Sequence, residues 1–173
     1  MSRRILIIED EDDFRQKFIG WRDYFGFLPD DELQGFGTRQ AVSDYMDKLV
    51  YQHTGQKEKP LIDIALIDLA LNEKPSIAYA NIKRANELEG IELFEKYGKF
   101  FRKKIFVTGA GNYRKAAQMG FNFNRPDIQV CLKTNSVEAK EEDRFPNNLI
   151  RAIKNVYAAL DEEDAGQGET RDD

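Results

Sequence analysis

One cysteine and one histidine stand among the 173 residues, and each scarcity excludes something. Cys131 has no partner for an internal disulfide, so the expected location is a reducing compartment, the cytoplasm. His53 alone builds no histidine-rich zinc site. No apolar run approaches the roughly 18 residues that a membrane span needs. At the start, four apolar residues (5–8) follow a basic pair and give way at once to acids, which is no signal peptide. Cations are also short. The 26 Lys and Arg stand against 31 Asp and Glu, a net charge of −5, so direct nucleic-acid binding is not expected. The composition, 41% hydrophobic and 33% charged, reads as soluble and globular, long enough for one domain with an insertion or tail.

The apolar pattern alternates short runs with helical stripes. Residues 5–8 read as a strand buried on both faces. Phe14, Phe18, Trp21 and Phe25 follow at spacings of four, three and four, predicting one amphipathic helix over 12–25 with all four rings in the core. Residues 32–36 predict an edge strand. Thr38 is placed to cap a helix running to about Tyr51. Residues 61–71 hold a third strand, 104–108 a fourth and 128–132 a fifth. Between them, helices are expected from Gly90 and over 113–119, with 109–111 a flexible turn. Leu149, Ile150, Ile153, Val156, Tyr157 and Leu160 stripe a last helix. The domain is thus expected over 1–160, with an insertion at about 72–89 and an acidic disordered tail over 161–173. Strands separated by helices imply an α/β fold, a doubly wound five-stranded parallel sheet whose function gathers at the carboxyl ends of its strands.

Those ends carry the chemistry. The first strand ends in Glu9 and Asp10, the third at Asp68, the fourth at Thr108 and the fifth at Lys133. If the first strand lies between the second and third, three carboxylates converge. Two like charges 4 Å apart repel by roughly 4 kcal/mol at an effective dielectric of about 20, so the cluster needs a proton, a cation or a metal. An all-oxygen set suits Mg²⁺. Asp68 is the natural nucleophile for a phosphoryl group, with Lys133 and Mg²⁺ to offset charge and Thr108 to donate a hydrogen bond.

With these residues in this order, the sequence resembles the receiver domain of two-component response regulators. Ile5-Leu6-Ile7-Ile8-Glu9-Asp10-Glu11, Asp63-Ile64-Ala65-Leu66-Ile67-Asp68-Leu69, Gly90-Ile91-Glu92-Leu93, Ile105-Phe106-Val107-Thr108-Gly109 and Val130-Cys131-Leu132-Lys133 carry the likeness across residues 3–160. The resemblance implies a flavodoxin-like sheet of order 2-1-3-4-5, phosphorylation of Asp68, and Mg²⁺ held by Glu9, Asp10, Asp68 and the Ala70 carbonyl. It implies that Thr108 and Lys133 read the phosphoryl group. The donor would be a sensor histidine kinase or a phosphotransfer protein, the output a downstream protein, the state a monomer or weak homodimer. No enzymatic turnover is expected beyond self-catalysed phosphoryl acceptance and hydrolysis.

The chain departs from that pattern in three places. Thr134 stands where receivers carry proline after the lysine, and a cis bond before Thr134 would cost about 3 kcal/mol, so the loop is expected to take another path. Val130 stands where receivers carry a switching Phe or Tyr. The stretch from Asp68 to Gly90 is long, and Ile77, Tyr79 and Ile82 offer docking contacts there, against the plain reading of a surface elaboration. Two other functions stay open: a phosphorylation-independent adaptor or dimerisation module, and a Mg²⁺-dependent phosphatase with an aspartyl nucleophile. Ala70, where such a phosphatase places a second aspartate, counts against the latter. The plainer readings are acids at a helix start for residues 9–13, a loop aspartate for Asp68 and a surface lysine for Lys133.

Overall fold

A computed structural model of the chain describes residues 2–54, 60–71, 88–134 and 136–168. Its described strands and α-helices are β1 (Arg4–Ile8), α1 (Asp12–Gly20), α2 (Arg22–Phe25), β2 (Glu32–Phe36), α3 (Arg39–Gln52), β3 (Ile62–Ile67), α4 (Glu89–Tyr97), β4 (Phe101–Thr108), α5 (Ala110–Gln118), β5 (Ile128–Leu132) and α6 (Asn147–Gly168). The five strands are all parallel in the order β2-β1-β3-β4-β5. Among the described residues, no helix is long and apolar enough to cross a membrane.

The central strands are apolar on both faces because both faces are covered. Leu6, Ile8, Ala65, Ile67 and Phe106 point one way, into a core shared with Val42, Met46 and Leu49 of α3, Ile91 and Phe94 of α4, and Ala116 of α5. Ile5, Ile7, Ile64, Leu66, Ile105 and Val107 point the other way, toward Phe18 of α1 and Leu149, Ile153, Val156 and Leu160 of α6. The two-residue period of a strand thus sorts one continuous run into two cores. Each fully buried large side chain contributes about 1.5–3 kcal/mol. Thr38 caps α3, its hydroxyl accepting from the Ala41 amide at 3.2 Å.

Several expectations need correction. The helix over 12–25 breaks at Trp21, whose φ of −110° and ψ of 37° leave the helical range. Phe18 and Phe25 stay in the core, with Phe14 packed at its margin. The break turns Trp21 outward, 59% exposed. The fourth strand begins at Phe101, three residues early, because Phe101 extends the pairing opposite Ile62. Ala110 and Gly111 are not a flexible turn but the first turn of α5.

The acidic tail is corrected too. Residues 161–168 continue α6. Their acids face cations at the amino end of the sheet. Asp161 and Asp164 pair with the buried Arg3. Asp164 and Glu163 also lie 2.8 and 3.0 Å from Arg102, and Glu163 pairs with Lys103. Composition near a chain end reveals none of these partners, which come from strands far away in sequence. Residues 169–173, and residues 72–87 of the insertion expected at about 72–89, with Ile77, Tyr79 and Ile82, lie outside the described residues. Leu88 is buried and Glu89 opens α4.

Candidate functional site

Parallel pairing brings the ends of β1, β3, β4 and β5 to one edge of the sheet. Ile8 pairs with Ile67, so Glu9 and Asp68 leave adjacent strands side by side, and the Asp68 amide donates to the Ile8 carbonyl at 2.9 Å. Thr108 pairs with Leu132, and the Lys133 amide donates to the Thr108 carbonyl at 2.8 Å, so those two residues are fixed together one strand further on.

The side chains then meet. Carboxylate oxygens of Glu9, Asp10 and Asp68 all lie within 4.8 Å of one another. The Lys133 ammonium bridges two of them, 2.8 Å from Glu9 Oε2 and 2.9 Å from Asp68 Oδ2. The other oxygens are held by the backbone. The Glu11 amide donates to Glu9 Oε1 and the Ala70 amide to Asp68 Oδ1, both at 3.2 Å. Phe14 adds to this edge as well, its ring centroid 5.0 Å from the ammonium. Its spacing pointed only to core packing.

Glu9 and Asp68 are both buried, and burial penalises their charge. It pushes the Glu9 carboxyl up to about 7, against the hydrogen bond from Lys133 and with the charge of Asp68 adding to the rise. Burial raises Asp68 too, opposed by Lys133. Burial works against the Lys133 ammonium, but the Asp68 and Glu9 carboxylates outweigh it and hold the group above the usual lysine range.

This has a measurable consequence. An acid whose pKa is higher in the folded chain than in the unfolded one stabilises most below its unfolded value, and that stability is lost as pH rises through the folded value. The metal-free chain should therefore unfold at lower temperature as pH rises from about 5 to about 8, by something of the order of 5 °C. Asp127, which Lys104 and Arg125 hold low against the opposing effect of burial, acts below that window. A thermal scan of Glu9→Gln beside the parent checks this: the slope should flatten in the variant, and equal slopes would contradict the assignment.

Thr108 is fully buried, and its hydroxyl is one of few buried polar atoms with no hydrogen-bond partner among the described residues. It makes no hydrogen bond to the acids. A buried donor without an acceptor costs roughly 1–3 kcal/mol, so it suits a site that receives an external oxygen. The donor set also fits a hard cation: three carboxylates, no sulfur or imidazole, and fixed oxygens. Ala70 lies two residues beyond Asp68, and its backbone is held beside that carboxylate by the hydrogen bond its amide N–H donates to Oδ1. The Lys133–Thr134 peptide is trans. Val130 packs, partly buried, against the core face that also carries Phe121 and Phe123.

Two residues to which the sequence assigned no role at the site shape this edge. Gly90 sits so close that a Cβ there would lie 2.0 Å from the Asp68 carbonyl oxygen. Arg15 donates to the Glu9 carbonyl at 2.6 Å. The only hint of the second is a pair of glycines, Gly35 and Gly37, two residues apart on and just beyond an edge strand.

No protein-family model matches the sequence, and no curated protein does. Solved structures do. A response regulator receiver domain protein (CheY-like) from Methanospirillum hungatei superposes over 96% of this chain and 99% of its own, at 20% identity and a TM-score of 0.50. A signal receiver domain from Vibrio parahaemolyticus covers 98% of both chains at 12% identity and a TM-score of 0.53. The chain has the receiver-domain fold. Sheet order 2-1-3-4-5 and the flanking helices agree with it, and the acidic cluster lies at the carboxyl edge where a doubly wound sheet presents ligands.

Proposed function

We propose that this chain is a signal-transduction receiver that accepts a phosphoryl group on Asp68. The observation that carries the reading is the Lys133 ammonium seated between Glu9 and Asp68, with Asp10 completing an oxygen cluster at the sheet's carboxyl edge. An Asp68 carboxylate oxygen bonds to phosphorus. The bond from phosphorus to the donor's histidine nitrogen breaks, and its electron pair stays on the imidazole, which takes a proton from solvent. Lys133 offsets the charge that builds on the transferred group, and the Thr108 hydroxyl donates to one of its oxygens. Glu9, Asp10 and Asp68, with the Ala70 carbonyl, would hold Mg²⁺, which supplies positive charge against the phosphoryl oxygens. The donor is a phosphohistidine on a sensor kinase or phosphotransfer protein in the cytoplasm, and the output is contact with a further protein rather than catalysis.

A second reading rests on Val130. With no ring to swing at that position, the fold could serve as a phosphorylation-independent adaptor. Incubation with acetyl phosphate and Mg²⁺ separates the two. The proposal expects one phosphoryl group per chain by intact mass, absent from Asp68→Asn. An unmodified parent chain favours the adaptor, and repeated turnover of a phosphate monoester would make the chain a phosphatase instead.

A further inference from the structure

We infer that Arg15 is a positioning residue, which fixes the backbone of the acidic turn so that Glu9 and Asp10 stand ready for a divalent cation. The inference rests on the metal reading above. Arg15 lies in α1, and its amide donates to the Glu11 carbonyl at 2.9 Å. From there the side chain, 15% exposed, runs back over the end of the sheet. Its Nη1 donates to the Glu9 carbonyl at 2.6 Å, and its Nη2 pairs with the Asp12 carboxylate.

Two glycines make room for it. A Cβ on Gly35 would lie 2.9 Å from Arg15 Cγ and 3.0 Å from Cδ, and one on Gly37 would lie 2.5 Å from Nη1. Positions two apart in extended chain share a face, so Gly35 and Gly37 form a trough that the arginine fills. Between them the Phe36 carbonyl accepts from the Glu9 amide at 3.0 Å. Glu9 is therefore held at every polar group. Phe36 and Arg15 take its backbone, and Glu11 and Lys133 take its carboxylate. Lys133 faces the cluster itself, whereas Arg15 reaches it through backbone. A guanidinium on a carbonyl makes a charge-assisted bond, stronger than the neutral bonds beside it.

The sign of the effect separates positioning from plain electrostatics. Arg15 is a positive charge near a proposed cation site, so simple removal of that charge would tighten Mg²⁺ binding. Loss of positioning weakens it. The test uses the full chain, with Arg15→Gln, Gly37→Ala and the double variant, each titrated calorimetrically with Mg²⁺ and scanned for thermal unfolding without metal. Arg15→Gln should weaken Mg²⁺ binding by about tenfold or more. Gly37→Ala, which keeps the charge but displaces the guanidinium, should do the same. The double variant should bind no worse than Arg15→Gln, because the clash disappears with the arginine. If Arg15→Gln fails to fold, Gly37→Ala alone decides. Parent-like or tighter binding in either single variant overturns the inference, as does a Gly37→Ala loss that adds fully to that of Arg15→Gln. A parent chain that binds no Mg²⁺ at all overturns the metal reading itself, a different failure.

Discussion

Lys133→Ala should lose about 2–3 kcal/mol of stability near pH 8 without metal, and most of that loss should vanish near pH 5.5. The ammonium is the shared partner of two buried carboxylates, 2.8 Å from Glu9 and 2.9 Å from Asp68. Removing it leaves them facing each other with Asp10 close by. The chain's one recourse is to take up protons, and both carboxyls already stand above the usual range through burial. Without Lys133 they rise further. Stability is then kept at low pH and lost more steeply as pH climbs through the folded values. Denaturant unfolding at the two pH values measures this directly. An equal loss at both, or none at either, would show that the ammonium does not carry the pair. The same variant should retain Mg²⁺ binding, since the three carboxylates remain, while its conformational response to phosphorylation weakens.

Gly90→Ala should destabilise the chain by about 3 kcal/mol or more. Helix propensity alone predicts the opposite, because alanine is favoured over glycine in a helix by roughly 1 kcal/mol. Sterics decide the matter here. The new Cβ would lie 2.0 Å from the Asp68 carbonyl oxygen, 2.8 Å from Leu69 Cα and 2.9 Å from the Asp68 carbonyl carbon. These are backbone atoms of the chain leaving β3, which no side-chain rotation can clear. The Gly90 amide also donates to the Leu69 carbonyl at 2.9 Å, tying the start of α4 to the residue after Asp68. Either α4 or the Asp68 backbone must shift, so phosphoryl acceptance should fall with stability. An unfolding midpoint equal to or above that of the parent would refute this close approach.

The site was legible where local pattern and function coincide. Acids directly after the apolar run 5–8, and Asp68 and Lys133 each ending a run of the same kind, stand out because strands covered on both faces are mostly apolar. Sheet order came from the resemblance, and it is what joins β1 to β3. Contacts between distant segments were not legible. Trp21 keeps the spacing of its neighbours, but the break between α1 and α2 turns it out, and no spacing argument registers one non-helical residue. The acids of 161–164 resemble a solvated tail until Arg3, Arg102 and Lys103 are seen opposite them. Arg15 reads as one more charged residue on a helix. Its role becomes visible only when Gly35 and Gly37 are found beneath it.

The most direct measurement of the central claim is the chemical identity of the modified residue. The chain is incubated with acetyl phosphate and Mg²⁺, reduced with borohydride, which converts an acyl phosphate on aspartate to homoserine, and sequenced by mass spectrometry. Conversion at Asp68, lost when Mg²⁺ is withheld, is the predicted result. Conversion at another carboxylate, or no conversion at all, would contradict the account.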